Sequence, residues 1–441
     1  MKTGGRLDQL AVDLAGGRIR RWVIGRPTEI ASASKSILMA RVLLVVPTSS
    51  YRVADFLSAA ESLGVEVAVA SEEDLPLLGV DRFVRIDCSD PAGAAAALAD
   101  LAATTSIDAI VPVDDTGVVI AALASQLLGL PHNPPEAAQA TRNKEVMRLA
   151  LSRAEVSQPA FAAVGPHEDP AAAAAVIGYP LVVKPLSLSG SRGVIRVDTG
   201  EALGPVVERV RRIATEDGEV GGRVLLEQFA PGMEVAVEGM LWGGVLEILA
   251  IFDKPGHPDG PYFEETIYVT PSELDPAARY EVARVTQAAV AAIGLQEGPV
   301  HAELRINAGK PSVIEVAGRS IGGLCGRALS FGLLDTSLET LVLRHALGRR
   351  HRGLHRTTEA TGVMMLPIPS PGVLIFVGGL EEASRVEGID AIEITTPIGG
   401  RLRPVPEADR YLGFIFARGS DPADVVSTLK KAHRLIDIVI R

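Results

Sequence analysis

The residue types best suited to chemistry fall on two short segments, Val300-His-Ala-Glu-Leu-Arg-Ile306 and Val313-Ile-Glu-Val-Ala317. Both read as β-strands, and Gly309 between them marks a hairpin turn. Strand side chains alternate, so His301, Glu303 and Arg305 share one face and Ala302, Leu304 and Ile306 the other. On the partner strand Glu315 and Ala317 share a face, opposite Ile314 and Val316. A turn centred on Gly309 sets Glu303 directly across from Glu315, with Cβ atoms ~4.5–5.5 Å apart. Two carboxylates so placed repel unless a proton or a cation lies between them. An oxygen-liganded cation such as Mg²⁺, shared with substrate phosphates, satisfies them. Solvated like charges on an exposed hairpin are the bland alternative.

Ser187-Leu-Ser-Gly190-Ser-Arg-Gly193-Val follows directly on Lys184-Pro185. Small residues let backbone N–H groups approach an anion, and Ser hydroxyls and Arg192 add donors. The segment reads as a phosphate cover loop, though not of the G-x-x-x-x-G-K-S/T type, and an ordinary turn has the same composition. Lys184 ends an apolar strand at the mouth of this loop, and Lys144 lies upstream of it. Further on, Leu225-Leu-Glu-Gln-Phe-Ala-Pro-Gly-Met-Glu234 ends one strand at Glu227, turns through Pro231-Gly232 and restarts at Glu234. Such a hinge offers backbone groups to a flat heterocycle and a carboxylate to sugar hydroxyls. A plain strand connection with surface glutamates reads the same.

These segments need elements to position them. Residues 41–133 alternate apolar strands (41–46, 65–70, 108–113) with helical patterns (53–63, 117–128), the mark of an open parallel sheet. The turn after the first strand, Pro47-Thr48-Ser49-Ser50, lacks G-x-G-x-x-G, so a dinucleotide site is not supported. Asn133 as N-cap, Pro134 and Glu136 predict a helix that carries Asn143 and Lys144. A hairpin is predicted for 234–241 and 245–252 around Trp242-Gly243-Gly244. One helix is expected from Asp275-Pro276 to Gly294, and another from Thr336, with Glu339 completing a capping box, to Gly348. The tail, 361–441, reads as a small α+β unit docked on the rest, ending in a helix capped by Asp421-Pro422.

Taken in order, Lys144, Lys184 with its Gly-rich loop, Glu227 with Glu234, then Glu303 and Glu315 resemble the ATP-grasp enzymes over roughly residues 41–441. The resemblance implies an α/β protein with α+β subdomains. Its parts are an extension at 1–40, an N-terminal Rossmann-like open parallel-sheet domain over 41–133, an ATP-grasp core over 134–360 with its lid about 180–232, and the C-terminal α+β subdomain over 361–441. It implies that ATP is cleaved to ADP while a carboxylate is activated as an acyl phosphate and captured by an amine. Lys144 and Lys184 would contact the phosphates, under a loop containing Ser189, Gly190, Ser191 and Gly193. Glu227 and the backbone of Gln228 and Phe229 would hold adenine, Glu234 ribose, and Glu303 with Glu315 Mg²⁺ or Mn²⁺.

Many members read Glu-x-Asn where this chain has Glu315-Val316-Ala317, which removes one oxygen ligand and leaves the number of metal ions open. Glu-x-Ala-x-Arg319 instead looks like the bacterial L-amino acid ligases, which make dipeptides. The 300–303 stretch and the tail's Gly399-Gly400, Pro404 and Leu412-Gly413-Phe414 are similar to that group too. On that resemblance Arg319 and Gly322 join Lys184 as catalytic residues, cradling the oxyanion formed when the amine attacks. Phe263-Glu264-Glu265-Thr266, with His301, would line the substrate pocket, Glu265 facing an ammonium group. Arg305 and Arg327 read equally as anion partners or structural pairs. The rival readings are a carboxylase of the biotin-carboxylase type, disfavoured by the Glu264-Glu265 loop and the lack of a biotinyl Met-Lys site, and a nucleotide-binding regulator without turnover.

Composition narrows the classes. At ~150 residues per domain, 441 residues make about three domains or subdomains. Lys+Arg 43 against Asp+Glu 54 leaves a charge of -11, without the basic field that nucleic acid or an anionic membrane demands. Small-molecule acid and amine substrates are the expected partners. No apolar run reaches the ~20 residues of a bilayer span, and two cysteines, Cys88 and Cys325, read as reduced thiols in a cytoplasmic protein. His345, His351 and His355 read as a solvated helix end rather than a metal site. Apolar helices such as 117–128 suit either the core or a homodimer interface.

Overall fold

An apolar run without alternation, such as Arg41–Val45, suits a strand buried on both faces. In the computed structural model it is the third of four parallel strands, ordered Val80–Arg85, Glu66–Ser71, Arg41–Val45, Ala109–Pro112. The structure describes residues 39–48, 50–73, 80–256, 260–332, 336–350 and 356–441. The expected extension, apart from its last two residues, lies outside the described residues, as do His351 and His355. Strand Val80–Arg85 and the Asp90-capped helix Pro91–Thr104 were not expected. The strand carries three charges among its six residues, and the helix is a run of alanines with little contrast between faces. Helix Gly117–Leu128 buries Val118, Ile120, Ala121, Ala122 and Ala124 within the chain, so that apolar face is core.

The single helix expected from Asn133 is two. Pro135–Arg142 ends where the Asn143 side chain accepts the N–H groups of Glu145 and Val146 and starts a second helix, Lys144–Arg153. Asparagine competes for backbone N–H groups and favours caps over helix interiors. Asn133 is no cap; its amide bonds Gln296 and Glu297 instead.

The 180–232 stretch expected as the lid belongs to a four-stranded antiparallel sheet ordered Phe161–Val164, Val224–Gln228, Leu181–Lys184, Ile195–Val197, backed by helices Pro170–Ile177 and Gly200–Glu216. This lid sheet also takes in Phe161–Val164, before residue 180. Arg148, fully buried on helix Lys144–Arg153, binds Glu227 of the lid at 2.6 Å. It also reaches the carbonyls of Val313 and Ile314 at 2.8 and 2.7 Å.

The core is one eight-stranded sheet ordered Lys310–Ala317, Glu297–Asn307, Met233–Trp242, Val245–Asp253, Ile267–Thr270, Ala360–Met365, Gly413–Gly419, Ile389–Ile394. The last three strands come from the tail, which therefore extends the central sheet. Its small sheet (Gly372–Gly378, Arg401–Leu402, Asp437–Ile440) and the Asp421-capped helix Pro422–His433 complete that region. Helix Pro276–Ile293, capped by Asp275 and ended by Gly294 as expected, covers Val235, Val237, Val300 and Leu304 on one face of the sheet. Ala236, Phe252, Tyr268 and Phe414 on the other face pack with Ile321, Leu324 and the N-terminal domain. Helix Leu338–Ala346 is capped by Ser337, not Thr336, and Glu339 faces Arg52 at 3.7 Å instead of closing a capping box. His345 is buried, its Nε2 2.6 Å from the Leu241 carbonyl and its ring against Trp242, so it is no solvated helix end. Among the described residues no helix is long and apolar enough to cross a membrane.

Arg148→Met strips a buried carboxylate of one partner and two carbonyls of their donors, a loss of about 3–5 kcal/mol. A urea titration should show the midpoint falling at constant slope; a loss under about 1 kcal/mol would contradict the bridging role of Arg148.

Candidate active site

The opposed glutamates come first because backbone pairing alone fixes them. Glu303 sits directly across from Glu315, and His301 across from Ala317. The register slips just beyond Glu303, where Leu304 pairs with Val313 and Ile314 is left as the extra residue of a bulge. Ile314 therefore lines the cavity beside Glu315 while Val313 and Val316 enter the core, against the simple alternation expected. Arg148 takes up the carbonyls at this bulge.

Both carboxylates face a cavity of about 500 Å³ between N-terminal domain, lid and central sheet. Lys144 approaches Glu315 at 3.0 Å and donates to the Leu188 carbonyl at 2.6 Å. Lys254, which sequence reasoning missed, is buried among Glu303 at 3.3 Å, Glu265 at 3.7 Å and Glu234 closer still. Burial opposes its charge, yet Glu234, Glu303 and Glu265 together raise its pKa well above the usual lysine value. Tyr268 adds a hydroxyl 3.4 Å from Glu303. His301 stands 3.1 Å from Glu238 and 3.7 Å from Glu303. Burial works against its protonation, but its hydrogen bonds to both carboxylates push its pKa up to about 9.

At the lid side, Glu227 is fully paired. Lys184 binds one oxygen at 2.7 Å and Arg148 the other at 2.6 Å. Burial alone would raise its pKa; the two cations outweigh it and hold the carboxyl at about 2. The N–H groups of Gln228 and Phe229 are spent on the carbonyls of Ala160 and Pro180, at 2.8 and 3.1 Å. The hinge donors expected there are thus engaged, and the Ala230 carbonyl accepts the Arg305 Nη1 at 3.1 Å. Phe229 stacks on Phe263, with the Arg196 and Arg305 guanidinium groups over its ring. Arg305 binds Glu234 at 2.9 Å, within the site, whereas Arg327 clamps Asp55 and Glu393 elsewhere.

The loop over the cavity contains three left-handed positions within four residues. Gly190, Ser191 and Gly193 all have positive φ, Ser191 without the freedom of glycine. Glu219 accepts the N–H groups of Leu186 and Ser187, so the loop base is anchored, and Arg192 pairs with Asp217. Among the described residues no hydrogen bond engages the N–H of Ser189, Gly190 or Ser191, all of which line the cavity. Gly193 does not line it; its N–H donates to the Pro406 carbonyl at 2.8 Å, and a Cβ there would press on Pro185.

At the opposite end Arg319 is pinned by both terminal nitrogens, to Asp115 at 2.7 Å and to the Ser320 carbonyl at 2.9 Å. Among the described residues its buried Nε has no partner. Gly322 lies beside it, with space for a Cβ 3.9 Å from the guanidinium. Asp115, also missed, lies between a parallel strand and helix Gly117–Leu128, one residue before its N-cap Thr116, and meets Arg142 at 3.4 Å as well. Arg319 and Arg142 overcome the effect of burial and keep its carboxyl well below the usual range. Carboxyl ends of parallel strands are the usual place for ligands in open sheets, and that signal could have found it. Glu264 is half-buried with its pKa raised by burial. Glu265 accepts the Tyr411 hydroxyl at 2.9 Å, and burial likewise raises its pKa.

A divalent cation fits this arrangement in one way. Among the described residues no group of three or more His, Cys, Asp or Glu side chains could hold a metal by itself. Two facing carboxylates on a cavity wall supply part of an octahedral oxygen set and leave the rest to phosphate and water, which suits Mg²⁺.

Three domain families match in chain order. They are the ATP-grasp N-terminal domain at 57–132, the ATP-grasp domain at 177–328 and the L-amino acid ligase C-terminal domain 2 at 364–441. The chain is accordingly an ATP-grasp protein. Within that group it is amino acid ligase-like. It is 30% identical to alanine–anticapsin ligase of Bacillus subtilis over 235 residues, 49% of each chain. The L-amino acid ligase structure from Bacillus licheniformis superposes with a TM-score of 0.78 at 25% identity, covering 91% of this chain and 99% of that one. Protein y4rH of Sinorhizobium fredii is 27% identical over 326 residues, 70% of this chain and 63% of its own. The chain thus spans about half the length of the alanine–anticapsin ligase it matches.

Because the Glu227 pKa is lowered on folding, its contribution to stability is complete above about pH 4.5 and lost as pH falls toward 2. Glu227→Gln should reduce the slope of stability against pH in that window, measured by urea titration at a series of pH values. An unchanged slope would contradict the pairing.

Proposed function

We propose that the protein is an ATP-dependent carboxylate–amine ligase that releases ADP. It activates an amino acid or similar small acid as an acyl phosphate and joins it to an amine in an amide or peptide bond. The observation that carries this reading is the single cavity holding the Glu303–Glu315 pair at one wall, the Lys144, Lys184 and loop donors at another, and Arg319 at the far end.

Charge dictates the sequence of events. ATP and a carboxylate repel, so cations must hold them together in line. Lys144 and Lys184 neutralise phosphate oxygens from the lid side, and the open N–H groups of Ser189, Gly190 and Ser191 cover them. Glu303 and Glu315 would hold Mg²⁺ or Mn²⁺ together with phosphate oxygens, a cation that supplies positive charge where the acid meets the γ-phosphate. The acid's oxygen attacks the γ-phosphorus, and ADP leaves. The acyl phosphate survives only if water is kept out, which is the part of the closed 187–194 loop. The amine then adds to the acyl carbon, the carbonyl oxygen gains charge, and the free Nε of Arg319 is an available donor for it. The attacking nitrogen gives up its surplus proton to the departing phosphate, and collapse expels that phosphate and leaves the amide. Glu265, steadied by Tyr411, suits a substrate ammonium group, and Glu264 and His301 shape the same end. Asp115 positions Arg319.

Incubation with Mg·ATP and pools of amino acids and small carboxylates should release ADP and phosphate with a condensed product visible by mass spectrometry. Glu315→Gln should abolish it. AMP with pyrophosphate would overturn the mechanism, and ADP formation dependent on bicarbonate would favour carboxylation. Asp115→Asn, which preserves packing but loosens Arg319, should cut product formation by up to about 100-fold with little change in the KM for ATP. Equal losses in both would make Asp115 structural only.

A further inference from the structure

One lid side chain holds the two segments that build the amino-acid end of the cavity. Arg209, on helix Gly200–Glu216, donates from Nε and Nη2 to the two oxygens of Glu407 at 2.8 and 3.0 Å. Its Nη1 donates to the Tyr262 hydroxyl at 2.7 Å. Tyr262 runs directly into Phe263-Glu264-Glu265, and Glu407 is followed by Ala408-Asp409-Arg410-Tyr411. Beyond Arg209 the two segments meet again where the Tyr411 hydroxyl donates to Glu265 at 2.9 Å. Arg209, Tyr262, Glu265, Tyr411 and Glu407 thus form a closed circuit.

The backbone follows the same path. Gly193 of the loop donates to Pro406, one residue before Glu407, and Arg196 donates to Pro261, one before Tyr262, both at 2.8 Å. Ile195 bridges to Tyr262 itself. Loop and lid strand are therefore tied to each substrate segment at neighbouring residues. A planar guanidinium suits this task, because its fork grips a carboxylate and leaves a third donor for the hydroxyl. About a third of the Arg209 side chain and a fifth of the Glu407 side chain remain exposed, so the grip is screened and able to open.

We propose that Arg209 is a positioning residue that makes closure of the 187–194 loop and assembly of the Glu265–Tyr411 pair a single event. Its catalytic consequence rests on the ligase reading: the loop seals over phosphate only when the acid and amine pocket is formed, so an acyl phosphate is not left open to water. The fastening itself is tested without turnover.

Amide hydrogen exchange on the full chain, with and without a non-hydrolysable ATP analogue, reads it directly. In Arg209→Met and in Glu407→Gln, peptides covering 187–196 and 403–411 should exchange faster together, by about tenfold. Helix Pro276–Ile293 should be unaffected, which shows the fold intact. The exchanged pair, Arg209→Glu with Glu407→Arg, should restore both segments. Acceleration of one segment alone, or of neither in both single variants, would overturn the proposal. If the chain proves to be a ligase, Arg209→Met should also release severalfold more phosphate per condensed product; an unchanged ratio would overturn the catalytic consequence while leaving the ligase reading intact.

Discussion

Two carboxylates forced to face each other across a hairpin set the terms for everything around them. Backbone hydrogen bonds of a central sheet hold Glu303 and Glu315 in register, so their repulsion cannot be relieved by moving apart. It has to be offset by cations. Lys254 does so beside Glu303 and Lys144 beside Glu315. In the proposed reaction a cation bound with the ATP phosphates would balance the surplus of acidic groups at this site.

A second charged group makes the lid part of the same device. Arg148, Glu227 and Lys184 form a buried triad that spans the core and the lid sheet. Removing one partner strands the others in low dielectric, so the lid's root is costly to disturb while its outer edge, held by Arg209, is more exposed and freer to open. The N-terminal domain contributes in turn through Asp115, which reaches Arg319 across the cavity and Arg142 below the loop. Three regions distant in sequence therefore meet at one site through ion pairs.

The parts legible in the sequence are those where local period and turn chemistry decide. Strand alternation and Gly309 gave the Glu303–Glu315 pairing, and Asp-Pro or Gly signals gave helices Pro276–Ile293 and Pro422–His433. The bulge at Ile314 was invisible, because it follows from how the neighbouring strands register and not from the residue itself. By local pattern Asn143 reads as a helix passenger, although its side chain ends one helix and starts another, which places Lys144 at a helix start beside the cavity. Lys254 escapes for a different reason, since it becomes part of the site only when the chain folds over long range, whereas Asp115 stands at the carboxyl end of a parallel strand, a signal the sequence does carry. The joining of the tail's strands to the central sheet is likewise a non-local pairing that no local pattern encodes.

In the proposed mechanism the acid's own oxygen is carried onto phosphorus within this cavity. Product formation with a carboxylate substrate labelled with ¹⁸O in both oxygens tests it most directly. Acyl phosphate chemistry predicts that one labelled oxygen from each acid consumed appears in inorganic phosphate, leaving one in the amide. Unlabelled phosphate, with the missing label in AMP or retained in the acid, would contradict it.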